Sequence, residues 1–213
     1  MKKIPLLLLL VTSLILCMAA TTPAADTGRV YVDTMIGGTV KNDDLGLDGD
    51  ANETYIGFEL PVDKFKLNLE LLTGNWEREA GDLDLKGYEI KGGYQVLKNK
   101  DLQMYITLSD YNRESNDYPK PEFSGILLGA DVISNLSPKI NVEGSLGFSL
   151  SGKYEDDIGD EDANLLLFKA KLNYMITKDV YASVGYRYYG FDVDHFDEDV
   201  KSKGLTLGVG FKF

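Results

Sequence analysis

The sequence predicts an all-β fold, an antiparallel up-and-down β-barrel of ten strands. Three observations lead to this prediction. The last twelve residues alternate strictly between apolar side chains, such as Leu205 and Leu207, and polar or small ones, such as Thr206 and Gly208. Nine further segments repeat this period of two, and the connections between segments are alternately short and long. A period of two is typical of a strand with one apolar and one polar face.

The first 25 residues are predicted to be a cleaved signal peptide that precedes the barrel. Two lysines stand before an apolar run, residues 6–16, which is too short to span a bilayer, and small residues follow at 19–25. Cleavage within 19–25 leaves residues 26–213 as the barrel domain. A lipoprotein signal at Cys17 is the alternative. Cys17 is the only cysteine, so the mature chain is expected to form no disulfide and no thiolate metal site.

Ten segments with a period of two are predicted to be strands. Their apolar faces contain no Asp, Glu, Lys or Arg, whereas the opposite faces carry charge on most strands. No segment after the signal has the roughly 18 consecutive apolar residues of a membrane-spanning helix, so the asymmetry indicates strands that face lipid. In chain order the predicted strands are residues 29–40, 53–60, 64–75, 84–96, 102–111, 123–133, 140–151, 164–176, 180–191 and 202–213.

The connections separate a barrel from a soluble β-sandwich, whose strands also alternate. Short turns at one end and long loops at the other are the arrangement of membrane barrels. The short connections lie near residues 61–63, 97–101, 134–139 and 177–179. The long ones lie near residues 41–52, 76–83, 112–122, 152–163 and 192–201. A sandwich stays as the alternative fold, and merging two weak segments, the second or the sixth, gives eight strands as the alternative number.

The closing strand and the alternating faces resemble the small bacterial outer-membrane β-barrels of the OmpA and OmpX type. Val209, Phe211 and Phe213 match the terminal signature for membrane assembly, an apolar face that ends on an aromatic residue. The resemblance covers the whole mature chain and concerns architecture, not an activity. It implies the bacterial outer membrane as the location, with outer-membrane lipid and the outer-membrane assembly machinery as partners.

Composition restricts the remaining partners. The chain has 22 Lys and Arg against 34 Asp and Glu, a net charge of −12. Such an acidic chain is not expected to bind nucleic acid. The sequence predicts no cofactor, and it does not identify an extracellular ligand.

The polar faces predict a charge network inside the barrel. One interpretation is a lattice of ion pairs that fills the lumen, since buried charges persist mainly when paired. The alternative is a conduction path lined by charges of both signs. Inward glycines leave gaps that inward tyrosines, such as Tyr31 and Tyr181, are expected to occupy. The predicted network comprises Asp33, Glu59, Lys66, Glu70, Glu89, Lys91, Asp131, Glu143, Lys169, Lys171, Arg187 and Lys212.

The long loops are predicted to be acidic and to carry a surface interaction. The segment LDGDANE at 47–53 has acidic residues at alternating positions, as in a calcium loop, but it lacks the full spacing, and no metal site is assigned. His195 follows Asp192 and Asp194, whereas the omptin proteases, which are ten-stranded barrels, place one residue between their Asp and His. No catalytic residue is therefore assigned. A non-enzymatic surface role is expected, with a narrow channel or an omptin-like hydrolase as the alternatives.

Overall fold

The predicted ten-stranded antiparallel barrel is confirmed. The computed structural model describes residues 28–42, 45, 47–78, 81–117, 120–157, 159–194 and 199–213. The predicted signal peptide and His195 lie outside these residues. Among the residues that the structure describes, no helix is long and apolar enough to cross a membrane. The strands are β1 Arg29–Asn42, β2 Leu47–Val62, β3 Phe65–Arg78, β4 Leu83–Lys98, β5 Leu102–Ser115, β6 Glu122–Ser137, β7 Ile140–Glu155, β8 Asp160–Met175, β9 Val180–Val193 and β10 Val200–Lys212.

Each strand pairs with its neighbours in sequence, and β1 also pairs with β10, which closes the barrel. At this closing seam Val30 lies opposite Phe211, and the Phe213 backbone N–H donates to the Gly28 carbonyl at 2.9 Å. The Phe213 ring stacks on Phe58 with the ring centroids 5.8 Å apart. Closure matters because an open sheet edge would leave backbone groups without partners inside lipid.

The outer wall carries an apolar band. Large apolar side chains on every strand point away from the lumen, and on β10 the exposed fractions of Leu205, Leu207, Val209 and Phe211 range from 45% to 58%. We call the end of the barrel that holds the start of β1 and the end of β10 the lower end and the opposite end the upper end. Strands of 13 to 16 residues, at about 3.3 Å per residue and tilted about 40°, rise roughly 33–40 Å, so they extend beyond an apolar band of about 25 Å.

The prediction of long loops at the upper end is wrong, because the strands continue into them. β2 begins at Leu47, six residues before the predicted start, and Trp76, expected in a loop, is a buried residue of β3. The upper connections shrink to residues 43–46, 79–82, 116–121, 156–159 and 194–199. Several polar residues of the predicted loops, such as Asp48, Asp50 and Lys153, lie on the outer face of the strands, above the apolar band.

The polarity of the wall reverses along each strand. Low on β4, Ile90 faces outward with 40% of its surface exposed, and Glu89 faces inward and is buried. Four residues nearer the upper end, Leu85 is buried inside and Lys86 is exposed outside. The lower part is therefore built as a membrane barrel, and the upper part as a water-soluble barrel with an apolar interior.

On β1 a bulge accompanies this reversal of polarity. The pairing of β1 with β10 shifts between Ile36 and Thr39, and Gly37 has a φ of 59°, a conformation that favours glycine. Below the bulge the odd-numbered Asp33 and Met35 are buried, and above it the even-numbered Val40 is buried. The extra residue therefore changes which positions of β1 face inward.

Candidate functional site: a charge circuit beneath an apolar core

Twelve inward charged side chains of the lower half form a continuous series of ion pairs. The carboxylates and the cations alternate, so each group lies between two groups of opposite charge. We call this set the charge circuit. In order it comprises Lys171, Asp33, Arg187, Glu70, Lys169, Glu89, Lys91, Asp131, Lys66, Glu59, Arg29 and Glu143. Glu143, the last member of this series, lies directly opposite Lys171, the first member, in the pairing of β7 with β8.

Arg187 makes the densest contacts of the circuit. Its two terminal nitrogens each donate to Glu70 at 2.7 Å, and Nη2 also donates to Asp33 at 3.2 Å. Asp33 also forms an ion pair with Lys171 at 2.5 Å, and Glu70 forms one with Lys169 at 2.7 Å. A planar guanidinium that holds a carboxylate with two parallel bonds is among the stronger charge-assisted pairs. Asp33 and Glu70 therefore each have two cations as partners.

Hydroxyl groups complete the bonding of the buried carboxylates. The Tyr31 hydroxyl donates to Glu70 at 2.9 Å, and the Ser183 hydroxyl donates to Asp33 at 3.0 Å. Tyr31 can reach this position because Gly57 has no side chain, and a Cβ there would overlap the Tyr31 ring. The inward glycine thus makes room for the tyrosine.

Little space remains in the lower lumen. The cavity among the circuit residues has a volume of about 60 Å³, which is enough for only a few water molecules. Its walls include Arg29, Glu59, Lys91 and Lys171. The side chains of the circuit therefore occupy most of this part of the lumen.

The upper half of the lumen holds an apolar core. Phe123 and Phe191 stack with their centroids 4.3 Å apart, and Trp76 and Tyr154 pack against Phe123. All of these side chains are almost completely buried. We call this set, with the buried residues around it, the apolar core. Its members are Met35, Val40, Leu47, Ala51, Tyr55, Leu72, Trp76, Leu83, Leu85, Tyr111, Phe123, Leu127, Tyr154, Ala163, Leu165, Leu167, Tyr189, Phe191, Val193 and Val200.

One ion pair, Glu53 with Arg113, lies inside the apolar core, and neither side chain has measurable exposure. Both terminal nitrogens of Arg113 donate to Glu53 at 3.1 Å, Trp76 Nε1 donates at 2.6 Å, and the Ser202 hydroxyl donates at 2.9 Å. The Tyr55 hydroxyl is a further donor to Glu53. A carboxylate without water is tolerated here because several donors surround it.

Two stacked tyrosines lie between the ion pair of Glu53 with Arg113 and the charge circuit. Tyr55 and Tyr189 stack with their ring centroids 6.2 Å apart. The Arg187 guanidinium lies 3.7 Å from the centre of the Tyr55 ring, and the Arg113 guanidinium lies 4.4 Å from the centre of the Tyr189 ring. Each arginine thus gains a cation–π contact, and the two tyrosines join the apolar core to the charge circuit.

The structure places eleven of the twelve predicted lumen residues in the charge circuit. Lys212, the twelfth, is half-buried at the lower end, and it has no ion pair within 4 Å among the residues that the structure describes. Arg29, which begins its strand, and the ion pair of Glu53 with Arg113 are not among the predicted lumen residues. Glu53 is the first residue of a predicted strand, and Arg113 lies in a predicted loop.

The residues considered for a metal site or for catalysis do not come together at one place. In segment 47–53, Asp48 and Asp50 point outward and Glu53 points into the apolar core. Across the described part of the chain, no three His, Cys, Asp or Glu side chains are grouped to hold a metal ion. Asp192 and Asp194, considered with His195 at the sequence level, are exposed at the upper end of β9.

A closed ten-stranded barrel with an apolar outer band and a charged lumen defines an integral outer-membrane barrel protein. A family model described as "Outer membrane protein beta-barrel domain" matches residues 8–213, and the chain belongs to this family. The family locates the protein in the bacterial outer membrane. Since membrane barrels of this kind have short periplasmic turns, the lower end is the periplasmic end and the upper end is extracellular.

Several solved outer-membrane proteins are similar to this chain. Outer membrane protease OmpT from Escherichia coli is 9% identical, with 88% of this chain and 93% of that chain covered and a TM-score of 0.53. The β domain of the Bordetella autotransporter BrkA is 9% identical, with 89% and 99% covered and a TM-score of 0.50. Neisserial surface protein A is 16% identical, with 88% and 96% covered and a TM-score of 0.41. No curated protein sequence matches the chain.

Proposed function

We propose that the protein is a closed, non-enzymatic outer-membrane barrel that acts at the cell surface through the acidic wall of its extracellular part. The observation that carries the proposal is the double closure of the lumen. The charge circuit leaves a cavity of about 60 Å³, and the apolar core lies above it. With the lumen filled at two levels, the surface available to other molecules is the extracellular wall.

The extracellular wall presents a row of adjacent carboxylates. Glu114 lies opposite Glu122, Glu122 lies opposite Glu155, and Glu155 lies opposite Asp160, so four acidic residues cross four neighbouring strands. Like charges directly opposite each other destabilise a sheet. Two lysines form ion pairs with the ends of the row, Lys86 at 3.3 Å from Glu114 and Lys153 at 3.4 Å from Asp160. A basic partner would relieve the remaining repulsion, and we therefore expect the partner surface to be cationic.

Conductance is the first test of this function. Purified full-length protein in planar bilayers is expected to show no discrete current steps, because both halves of the lumen are filled. Discrete steps of constant size would contradict the proposal and would favour the alternative of a narrow channel. The double variant Arg187→Ala with Glu70→Ala, which removes side chains from the circuit, provides a control in which leakage is expected to increase.

Binding of a polycation is the second test. Proteoliposomes are expected to bind fluorescent polylysine, with weaker binding at higher salt. The triple variant Glu114→Gln, Glu122→Gln and Glu155→Gln is expected to reduce affinity about tenfold, because adjacent charges act on one ligand together. A matched control changes charge by the same amount at the separated positions Asp48, Asp84 and Asp192, each replaced by Asn, and should have a smaller effect. Equal losses in the two variants would show that net charge, not the row, attracts the ligand.

A further inference from the structure

The barrel wall is interrupted on one side, between β7 and β8. Their pairing stops after Phe148 with Leu166 and resumes at Lys153 with Asp162, which leaves residues 149–152 facing 163–165 outside the regular register. In this interval the Leu165 backbone N–H donates to the Ser149 hydroxyl at 2.9 Å. A side chain therefore replaces the backbone acceptor that a regular ladder would provide.

A bulge in β7 is the physical cause of this interruption. On the other edge of β7, Ser149 pairs with Leu127 and Ser151 pairs with Ile126, so Leu150 is an extra residue. An extra residue bends the strand and disrupts the neighbouring ladder, and such bulges are frequent at barrel rims and beside functional sites. Leu150 continues the outward face of Leu146 and Phe148, and 60% of its surface is exposed.

An open groove of about 670 Å³ lies over the interrupted pairing. This volume is within the range of about 300–1,000 Å³ that is usual for small-molecule sites. Its polar walls include the hydroxyls of Ser124 and Ser151 and the amide of Asn164, and apolar Ile126 and Leu150 line its other part. The groove thus combines hydrogen-bonding groups with an apolar surface.

The upper boundary of the apolar band passes through this groove. On β6 the outward residue after Ile126, toward the extracellular end, is Ser124, and on β8 the outward residue before Leu166 is Asn164. Ile126 and Leu166 are 38% and 43% exposed and lie at the top of the band. A molecule in the groove would therefore contact hydrocarbon below and polar groups above, an environment that suits an amphiphile of the outer leaflet.

The charges in the groove restrict the headgroup of that amphiphile. Asp110, Asp162 and Asp194 line it, against one amine, that of Lys153. This balance repels a headgroup that presents only phosphate. Hydroxyl, amide and carboxylate groups together are suitable partners for sugar hydroxyls, which both donate and accept hydrogen bonds. We propose that the groove binds the sugar headgroup of an outer-leaflet glycolipid, with its acyl chains along Ile126 and Leu150.

Native mass spectrometry of the full-length barrel tests this site. The protein is placed in nanodiscs of phosphatidylcholine that contain a minor fraction of either digalactosyldiacylglycerol or phosphatidylglycerol, and the lipid that remains bound after release is counted. Preferential retention of the galactolipid is expected. Equal retention of the two lipids, or preference for phosphatidylglycerol, would overturn the proposal, because the headgroup chemistry would then not be that of a sugar.

Paired variants locate the binding. The double variant Asn164→Ala with Ser151→Ala removes two hydrogen-bonding side chains, and it is expected to reduce galactolipid retention by about five- to tenfold, the effect of one to two lost hydrogen bonds. The matched control, Asn52→Ala with Thr73→Ala, removes outward polar groups from β2 and β3 and should leave retention unchanged. Unchanged retention in the groove variant, or equal loss in the control, would contradict the proposal. Heat-modifiable gel migration establishes that each variant is folded.

Discussion

The charge circuit and the apolar core are built by the same ten strands, yet they follow opposite packing rules. In the lower half lipid surrounds the wall, apolar residues point outward, and charges fill the lumen. In the upper half water surrounds the wall, charged residues point outward, and aromatic residues fill the lumen. The solvent outside the wall therefore determines what is placed inside, because alternating side chains give the two faces of a strand opposite character.

The two regions also stabilise buried charge differently. A carboxylate of the circuit such as Glu70 has two cations, Arg187 and Lys169, at 2.7 Å. Glu53, in the apolar core, has one cation, Arg113, together with neutral donors. Loss of a cation in the circuit leaves a partner in place, whereas loss of Arg113 leaves a buried carboxylate without a counter-charge. The regions should therefore differ in their tolerance of substitution.

The largest effect is expected from Arg113→Met. Removal of one member of a fully buried ion pair typically costs ~3–5 kcal/mol, because the other charge stays buried. The free energy of unfolding, measured by urea titration of the barrel in detergent, is expected to fall by this amount. The double variant Arg113→Met with Glu53→Gln should recover a large part of the loss. A stability equal to that of the unmodified protein would show that the pair lies in contact with water.

A cavity in the apolar core is expected to have the next largest effect. Phe123→Ala removes a ring that packs against Trp76, Tyr154 and Phe191, and we expect a loss of ~3 kcal/mol in the same urea titration. Phe148→Ala is the matched control, because Phe148 faces outward with 48% of its surface exposed. The control should lose less, since lipid replaces the deleted ring. An equal loss in both variants would mean that the core is loosely packed.

A smaller effect is expected when the circuit loses one cation. In Arg187→Met, Asp33 keeps Lys171 and Glu70 keeps Lys169, so we expect the free energy of unfolding to fall by ~1–3 kcal/mol. Lys212→Gln, outside the circuit, should change stability by less than ~0.5 kcal/mol. If Arg187→Met costs as much as Arg113→Met, the second cation of each carboxylate does not provide the compensation that its distance suggests.

The lower half could be predicted from the sequence because its period of two is regular. Alternate residues of a strand face opposite sides, so the alternation alone predicts which residues face the lumen. Glu70, Glu89 and Lys169 are assigned to the lumen in this way, without knowledge of their partners. Their order around the circuit depends on barrel closure and stagger. Arg29, for example, contacts Glu143, which is 114 residues away in sequence. Pairing between such distant residues is not encoded in a local pattern.

The upper half was missed because its alternation is reversed. On β2, for example, the buried Leu47 and Ala51 alternate with the exposed Asp48 and Asp50, but here the apolar residues face inward. A search for an apolar face toward lipid interprets such a segment as a polar loop. The continued alternation is the signal that could have extended the strand. The bulges in β1 and β7 shift the alternation of inward and outward residues by one position, and no local motif in these strands predicts them.

Cysteine labelling along β3 tests the reversal of polarity most directly. The chain has one cysteine, in the predicted signal peptide, so single-cysteine variants of the mature barrel can be labelled on intact cells with a membrane-impermeant maleimide. Glu77→Cys, on the extracellular outer wall, is expected to react. Leu71→Cys, in the apolar band, and Leu72→Cys, in the apolar core, are expected not to react. Labelling of Leu72→Cys as fast as Glu77→Cys would reveal a water-filled lumen and would contradict the account.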